Sequence, residues 1–210
     1  MKVAVVAANG RSGTVFVKAA LAAGMQVRAG IYGTSTLPTH PDVEIVQCDA
    51  TNVADIDRLV DGVDAVVSLI GHTRRSGGDV QTRATENIIE AMKRHNVMRV
   101  ISLTGTGVRI NGDTPSLIDR CANVAIRLID PQRVGDGVRH AAVLQQSQLD
   151  WTILRVLKLT NGTHNGPAYM SAHGPAELFT PRARVAAAIV ELLHEARYIR
   201  EMPIIIRKGQ

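Results

Sequence analysis

The sequence predicts a doubly wound α/β fold, a parallel sheet with helices on both faces, and three observations carry that expectation. Short apolar runs rich in valine and isoleucine recur along the chain without polar alternation, as strands buried on both faces require. Between them lie stretches with apolar residues at helical spacing. Short turns join the two kinds of segment, so each strand-helix-strand step reads as a right-handed crossover in one sheet. With 210 residues, 45% of them hydrophobic, the chain can bury a sizeable core, and residues 1–210 are expected to form one domain.

Taken in order, residues 3–7 are a continuous apolar run of strand length. A helix over 13–23 follows, with Val15, Phe16, Ala19, Ala20 and Ala23 at helical spacing and Gly24 placed to stop it in a left-handed cap. Strands are expected at 27–32 and 43–47, a short helix at 53–60, and a turn at Asp61-Gly62 before a fourth strand, 64–70. A long amphipathic helix spans 78–95 and a fifth strand 99–104. A helical region starts near Pro115, breaks near Pro131 and resumes to Ser147, ahead of a sixth strand at 151–156. Residues 160–175 read as glycine-rich and irregular, 182–195 as helix, and 203–207 as a strand that closes the sheet. No internal repeat, low-complexity tract or linker interrupts the pattern.

Composition excludes several classes of function. Lys+Arg 24 against Asp+Glu 19 gives a net charge of +5, yet the basic residues are spread along the chain and aromatics make up only 3%. Such a chain has little with which to stack bases, so no nucleic-acid partner is expected. The 2 cysteines, Cys48 and Cys121, match neither a disulfide framework nor a zinc spacing, and both are expected as packing residues in a reducing compartment. The apolar run after Met1-Lys2 is too short for a secretory leader and breaks at Asn9-Gly10-Arg11, and no window is long enough for a membrane span. A cytoplasmic location is expected. His164 and His173 lack the setting of a metal site, and no metal is expected.

The richest stretch is VAVVAANGRSG, residues 3–13, where the apolar strand runs straight into a polar, glycine-containing turn and then a helix. Strand, glycine turn and helix are the context a dinucleotide-binding turn requires. Gly10 lets backbone approach a pyrophosphate, Gly13 permits close helix-strand packing, and the free N–H groups of the helix attract phosphate charge. Asn9, Arg11 and Ser12 add polar donors. A plain tight turn at the sheet edge is the competing reading, and the flanking strand and helix weigh against it. Ala7 stands where the first glycine of a G-x-x-G-x-x-G pattern would be, so this turn must tolerate a methyl group.

AANGRSG (7–13) resembles the G-A-T-G-x-x-G turn of the atypical short-chain dehydrogenases/reductases, the NAD(P)H-binding group that contains NmrA-like proteins and the biliverdin-IXβ/flavin reductases. QCDATN (47–52), GVDAVVSLIG (62–71), TENIIEAMKRHNVMRVISLT (85–104) and LQQSQLDWTILRVLKLTNG (144–162) resemble the same family in the same order, so the likeness covers nearly the whole chain. It implies a Rossmann-type sheet. It also implies that Gly10, Arg11, Ser12 and Gly13 line the pyrophosphate, that Asp49 and Ala50 border the adenine, and that Leu69, Ile70 and Gly71 border the adenine ribose. Thr104 and Arg155 would approach the nicotinamide. Read without the family, Asp49 is equally a turn-forming carboxylate and Arg155 an ion-pair partner at a strand end.

An acid that would hold a ribose 2′-hydroxyl belongs at the end of the second strand and is missing from RAGIYGTSTLP. Nothing there repels a 2′-phosphate, so NADP(H) is the expected cofactor, with NAD(H) the lesser alternative. Tyr32 stands where family members that select NADP often carry arginine. Arg11 and the hydroxyls of Thr34 and Ser35 would have to replace it.

The Tyr-x-x-x-Lys pair of typical short-chain dehydrogenases is absent: Thr36, His173 and Met202 lie four positions after the three tyrosines, and RVGDG fills the helical segment where the pair would fall. Hydride transfer to a flavin or another extended conjugated acceptor asks less of the protein, because the acceptor spreads the developing charge. In the biliverdin/flavin reductases a serine follows the strand-five threonine; here Gly105 follows Thr104, with Thr106 next. Thr104 is the candidate catalytic hydroxyl. His72, Arg74 and Arg75, followed by a flexible-looking run to residue 79, are candidates for a lip around a small-molecule substrate, with Gly105 and Thr106 across from them. The loops at 72–79, 105–116 and 157–180 would make up that substrate side. His140 is expected as a surface or partly packed residue, and Val185, Ile189, Leu192 and Leu193 as core or as a homodimer face. Two functions fit: an NADP(H)-dependent oxidoreductase with a conjugated acceptor, or a non-catalytic dinucleotide-binding redox sensor of the NmrA-like type.

Overall fold

A computed structural model of the chain describes residues 1–73, 76–164 and 166–207. The apolar runs become β1 (Lys2–Val6), β2 (Gln26–Ile31), β3 (Val43–Gln47), β4 (Ala65–Ser68), β5 (Arg99–Gly105) and β6 (Asp150–Val156). The helices are α1 (Arg11–Ala22), α2 (Val53–Val60), α3 (Val80–Arg94), α4 (Leu117–Ile129), α5 (Pro131–Gln146) and α6 (Arg182–His194). Three two-residue strands, β7 (Leu159–Thr160), β8 (Met170–Ser171) and β9 (Thr180–Pro181), lie in the segment after β6, and β10 (Ile204–Ile205) closes the chain.

The main sheet has the order β3-β2-β1-β4-β5-β6-β10-β8. Every neighbouring pair is parallel except β10 with β8, and β7 pairs with β9 apart from it. The two-residue period of a strand explains why its sequence runs are unbroken. Val3 and Val5 of β1 face a core shared with Phe16 and Ala20 of α1 and Val185, Ile189 and Leu192 of α6, whereas Ala4 and Val6 face Ile56 of α2, Ile88 and Met92 of α3 and Leu144 of α5. The fold is thus the Rossmann-type doubly wound sheet that the sequence predicts. The strand order reverses at β1, between β2 and β4, and their carboxyl ends open the crevice where such sheets bind ligands.

Two expectations change. Val185, Ile189 and Leu192 lie in the core with Leu193 partly buried against it, the core role of the two expected for them. Exposed apolar residues gather instead on α4, where Leu117, Ile118, Val124, Leu128 and Ile129 face outward and only Asp119 is buried. Cys121 on that helix is exposed and is no packing residue, unlike Cys48, whose thiol burial pushes up to about 12. His140 is fully buried rather than superficial: Nε2 shares a hydrogen bond with Ser102 Oγ at 2.7 Å, and Nδ1 lies 3.3 Å from Gly137 O. Its position on the α5 face that packs on the sheet was masked in the sequence by flanking Arg139 and Val138.

Burial lowers the His140 pKa to about 4, against the opposing pull of the Gly137 carbonyl and the Asp136 charge. The unfolded chain, near 6.5, therefore binds a proton that the folded chain refuses between those two values. Stability from this site is complete above pH 6.5 and falls as the pH drops toward 4, by roughly 3 kcal/mol. Urea denaturation at pH 7 and pH 4.5 checks this: His140→Gln, which cannot titrate, should lose distinctly less stability across that interval than the unaltered protein.

Candidate functional site

The turn after β1 is built as a cradle. Gly10 caps α1 in an extended conformation with no side-chain hydrogen bond to the helix, and no acidic residue lies in the first turn. The first helical hydrogen bond is Thr14 N–H to Gly10 O, so the amides of Arg11, Ser12 and Gly13 have no helical acceptor. Arg11 adds a cation where the helix dipole already presents positive charge, an arrangement that suits a bound anion. A β-carbon on Gly13 would lie 2.3 Å from Ala7 O and 2.6 Å from Ala8 O, so only glycine lets α1 start this close to the strand. A β-carbon on Gly10 would meet Ala7 O at 3.1 Å.

Ala7 adopts φ 61°, the left-handed conformation that glycine takes without strain. The methyl group is accommodated, but the backbone is held at a cost that Gly10 N–H donating to Ala7 O, 3.0 Å, helps to maintain. Ala7→Gly is therefore expected to stabilise the protein, by up to about 1 kcal/mol after the added freedom of the unfolded chain is subtracted. Chemical denaturation reads it directly, and a destabilised variant would show that the turn is not strained.

Asn9 Nδ2 donates to Tyr32 O at 3.0 Å and Thr34 O at 3.3 Å, tying the loop after β2 to the cradle. Tyr32 is 75% exposed, Thr34 is exposed, and Ser35 Oγ accepts from Leu37 N–H. No carboxylate lies in this loop segment. Asp49 Oδ1 accepts from the backbone and hydroxyl of Thr51 at 2.8 and 2.7 Å, a local turn motif, and Ala50 O accepts from Asn87 of α3. Leu69 and Ile70 are buried beyond the end of β4, and Gly71 is exposed with open space around it.

On the far side of the crevice, Gly137 of α5 lies beneath Thr104: a β-carbon there would be 2.9 Å from Thr104 Oγ1. Gly105 is exposed, but Thr106 is buried and donates to Asp119 Oδ1 at 2.9 Å, where Asn123 and Arg109 also converge. Thr106 therefore anchors α4 and is not free for a substrate. Arg155 is corrected too. It is 0% exposed, and its guanidinium donates to both oxygens of Asp113, at 2.6 and 2.9 Å, and to the carbonyls of Met202, Val108 and Ala172. It ties the loop after β5 to the end of β6 and has no donor left for a cofactor. Burial would raise the Asp113 carboxyl, but this guanidinium and the Ile110 N–H hold it below the usual range.

Two residues the sequence reading missed stand at this crevice. Asp136, within RVGDG, is fully buried and accepts from the backbone N–H groups of Gln81 and Thr82 at the start of α3, 2.9 and 3.0 Å away. His72 Nε2 lies 2.9 Å from its Oδ2. Arg182, the first residue of α6, is buried, donates to Asn161 Oδ1 at 2.8 Å and leaves Nε unpartnered. Burial lowers its pKa, and the like charge of Arg11 pushes the same way, which places two cations near one another where α1 and α6 begin. Arg74 and Arg75 lie outside the described residues.

Fold and turn together define a Rossmann-type, NAD(P)-binding protein. The NAD(P)H-binding family matches residues 7–196, and the chain belongs to it. The curated 3β-hydroxysteroid dehydrogenase/Δ5→4-isomerase of Mycobacterium tuberculosis is 26% identical over 181 residues, covering 80% of this chain and 49% of that protein. The chain thus spans about half the length of the curated relatives it matches. Among solved structures, a short-chain dehydrogenase/reductase from Veillonella parvula in complex with NADP superposes with TM-score 0.82 at 19% identity, covering 99% of this chain and 95% of that one. An NADH-flavin reductase from Streptococcus pneumoniae gives 0.77 at 19%, with 99% and 100% covered. An anaerobillin reductase from Escherichia coli O157:H7 gives 0.77 at 21%, with 100% and 98% covered. The NAD(P)H-binding family and the Rossmann-type fold that the resemblance implies are both found. No described helix is long and apolar enough to cross a membrane.

Proposed function

We propose that the protein is an NADP(H)-dependent oxidoreductase that passes hydride to a small conjugated acceptor, a flavin or quinone-like molecule. The observation that carries this reading is the uncapped start of α1, where three free amides and Arg11 face an open crevice between β1 and β4. Gly10, Arg11, Ser12 and Gly13 hold the diphosphate, with Arg182 as a second cation. Asp49, Ala50, Leu69, Ile70 and Gly71 border the adenosine half. Thr34, Ser35 and Arg11 receive the 2′-phosphate, which no carboxylate between Tyr32 and Pro41 opposes. Thr104 and Gly105 lie beside the nicotinamide, Thr104 oriented by its contact with α5. When bound, the reduced nicotinamide supplies a hydride, and the residues of this chain position the acceptor and exclude water from it.

Structural neighbours named as flavin and anaerobillin reductases support an acceptor with an extended conjugated system. A homodimer, if formed, would use the apolar face of α4. Loss of reduced-nicotinamide absorbance against a panel of flavins and quinones tests the reading. Turnover with NADPH exceeding that with NADH is expected; tight dinucleotide binding without turnover on any acceptor would instead make the protein a redox sensor.

A further inference from the structure

We infer that His72, held by Asp136, is the proton donor to the acceptor, a role taken over from the missing tyrosine by a residue of a different element. The inference rests on the reductase reading above. The α5 segment Arg133 to Gly137 stands where typical short-chain dehydrogenases carry tyrosine and lysine, and it supplies neither. It supplies a buried carboxylate instead. Asp136 is fixed by two backbone N–H groups and the Thr82 hydroxyl of α3, so its oxygens cannot swing away from His72. Arg133 of the same segment donates to His72 O at 3.4 Å, and so fixes the backbone of the loop after β4.

The imidazole is positioned for donation. Its Nε2 is buried and lies 2.9 Å from Asp136 Oδ2, although off the direction of a well-aligned hydrogen bond. Catalytic hydrogen bonds are often misaligned until substrate is bound. Nδ1 has no hydrogen-bond partner among the described residues and is the nitrogen free to meet a ligand. Gln81, the neighbour of Thr82, donates through its side chain to Leu103 O at 2.8 Å, so the same short stretch of α3 braces both Asp136 and β5, the strand that carries Thr104. His72, Asp136 and Thr104 therefore sit on one rigid framework at the carboxyl ends of β4 and β5. The charged neighbours of the pair are Arg139, 3.8 Å from Asp136, and Arg133.

The chemistry balances without any further reagent. Hydride from a reduced nicotinamide dinucleotide brings two electrons and one hydrogen to one end of the acceptor. The electron pair displaced to the far heteroatom takes the proton from protonated His72, forming one N–H or O–H bond as the imidazole N–H breaks. Neutral His72 then regains a proton from water, and Asp136 stabilises the imidazolium without itself being protonated.

Steady-state turnover of a quinone and of flavin mononucleotide is measured for the unaltered protein and for His72→Gln and His72→Ala, in water and in deuterium oxide. NADPH dissociation constants are measured alongside. The expected result is a kcat lower by a factor on the order of 10² in both variants, NADPH affinity within about twofold of the unaltered protein, and rescue of His72→Ala by added imidazole. A solvent isotope effect on kcat in the unaltered protein should be lost in the variants. The His72 ring resonances of the unaltered protein should also shift when a non-reducible quinone analogue is added with NADP. Turnover by the variants within twofold of normal, a slow variant with no rescue, or an unaltered protein with no solvent isotope effect would each overturn the donor role while leaving the reductase reading intact. An unaltered protein that reduces no acceptor would overturn both.

Discussion

Replacing Gly13 by alanine is expected to destabilise the protein by about 3 kcal/mol or more and to weaken NADPH binding severely, because nothing near the new methyl group can move aside. The β-carbon would stand 2.3 Å from Ala7 O and 2.6 Å from Ala8 O, and both are backbone atoms. Relief requires α1 to retreat from β1. That would break its contact with α6 and carry the amides of Arg11 and Ser12 away from the position where they face a diphosphate. Gly71→Ala is the matched control for stability, since its β-carbon would meet nothing within 4 Å. Urea denaturation of both variants and an NADPH titration of Gly13→Ala against the unaltered protein decide the matter; a Gly13→Ala protein with unaltered midpoint and affinity would mean that the cradle is not formed by this packing.

Arg155→Leu should cost about 3–5 kcal/mol, the usual consequence of leaving one member of a buried ion pair alone. Asp113 would keep its charge in a site 5% exposed, and the carbonyls of Val108, Ala172 and Met202 would lose their shared donor. The double variant Arg155→Leu/Asp113→Leu removes the stranded charge and should recover part of the loss. Recovery distinguishes the two causes, because the carbonyls remain unpaired in both. Equal destabilisation of the single and double variants would show that the carbonyls, not the carboxylate, dominate.

The fold was legible because burial on both faces leaves a strong trace in sequence. VAVV can be apolar throughout only if alternate side chains enter two different cores, as Val3 and Val5 do on one side and Ala4 and Val6 on the other. The cradle was legible for a related reason: Gly13 marks a place where a β-carbon has no room, and Gly10 one where it would be tight against Ala7 O. The crevice residues were harder. Arg155 and Thr106 looked available because they sit at strand ends near the predicted nicotinamide, but their partners, Asp113 and Asp119, lie in an irregular loop and a helix whose placement no periodicity reveals. Asp136 was invisible for the converse reason. Amid glycines and charged residues it resembles a solvated helix position, and only the docking of α5 on α3 buries it. The His72–Asp136 contact spans two elements with no local signal in either.

The central place of β1 also has a history in time. The strand pairs on one edge with Gln26–Ile31 and on the other with Ala65–Ser68. At a synthesis rate of about 10 residues per second, that second edge stays open for several seconds after the first has closed. A growing chain therefore presents a bare ladder of valine-flanked amides to whatever surrounds the ribosome.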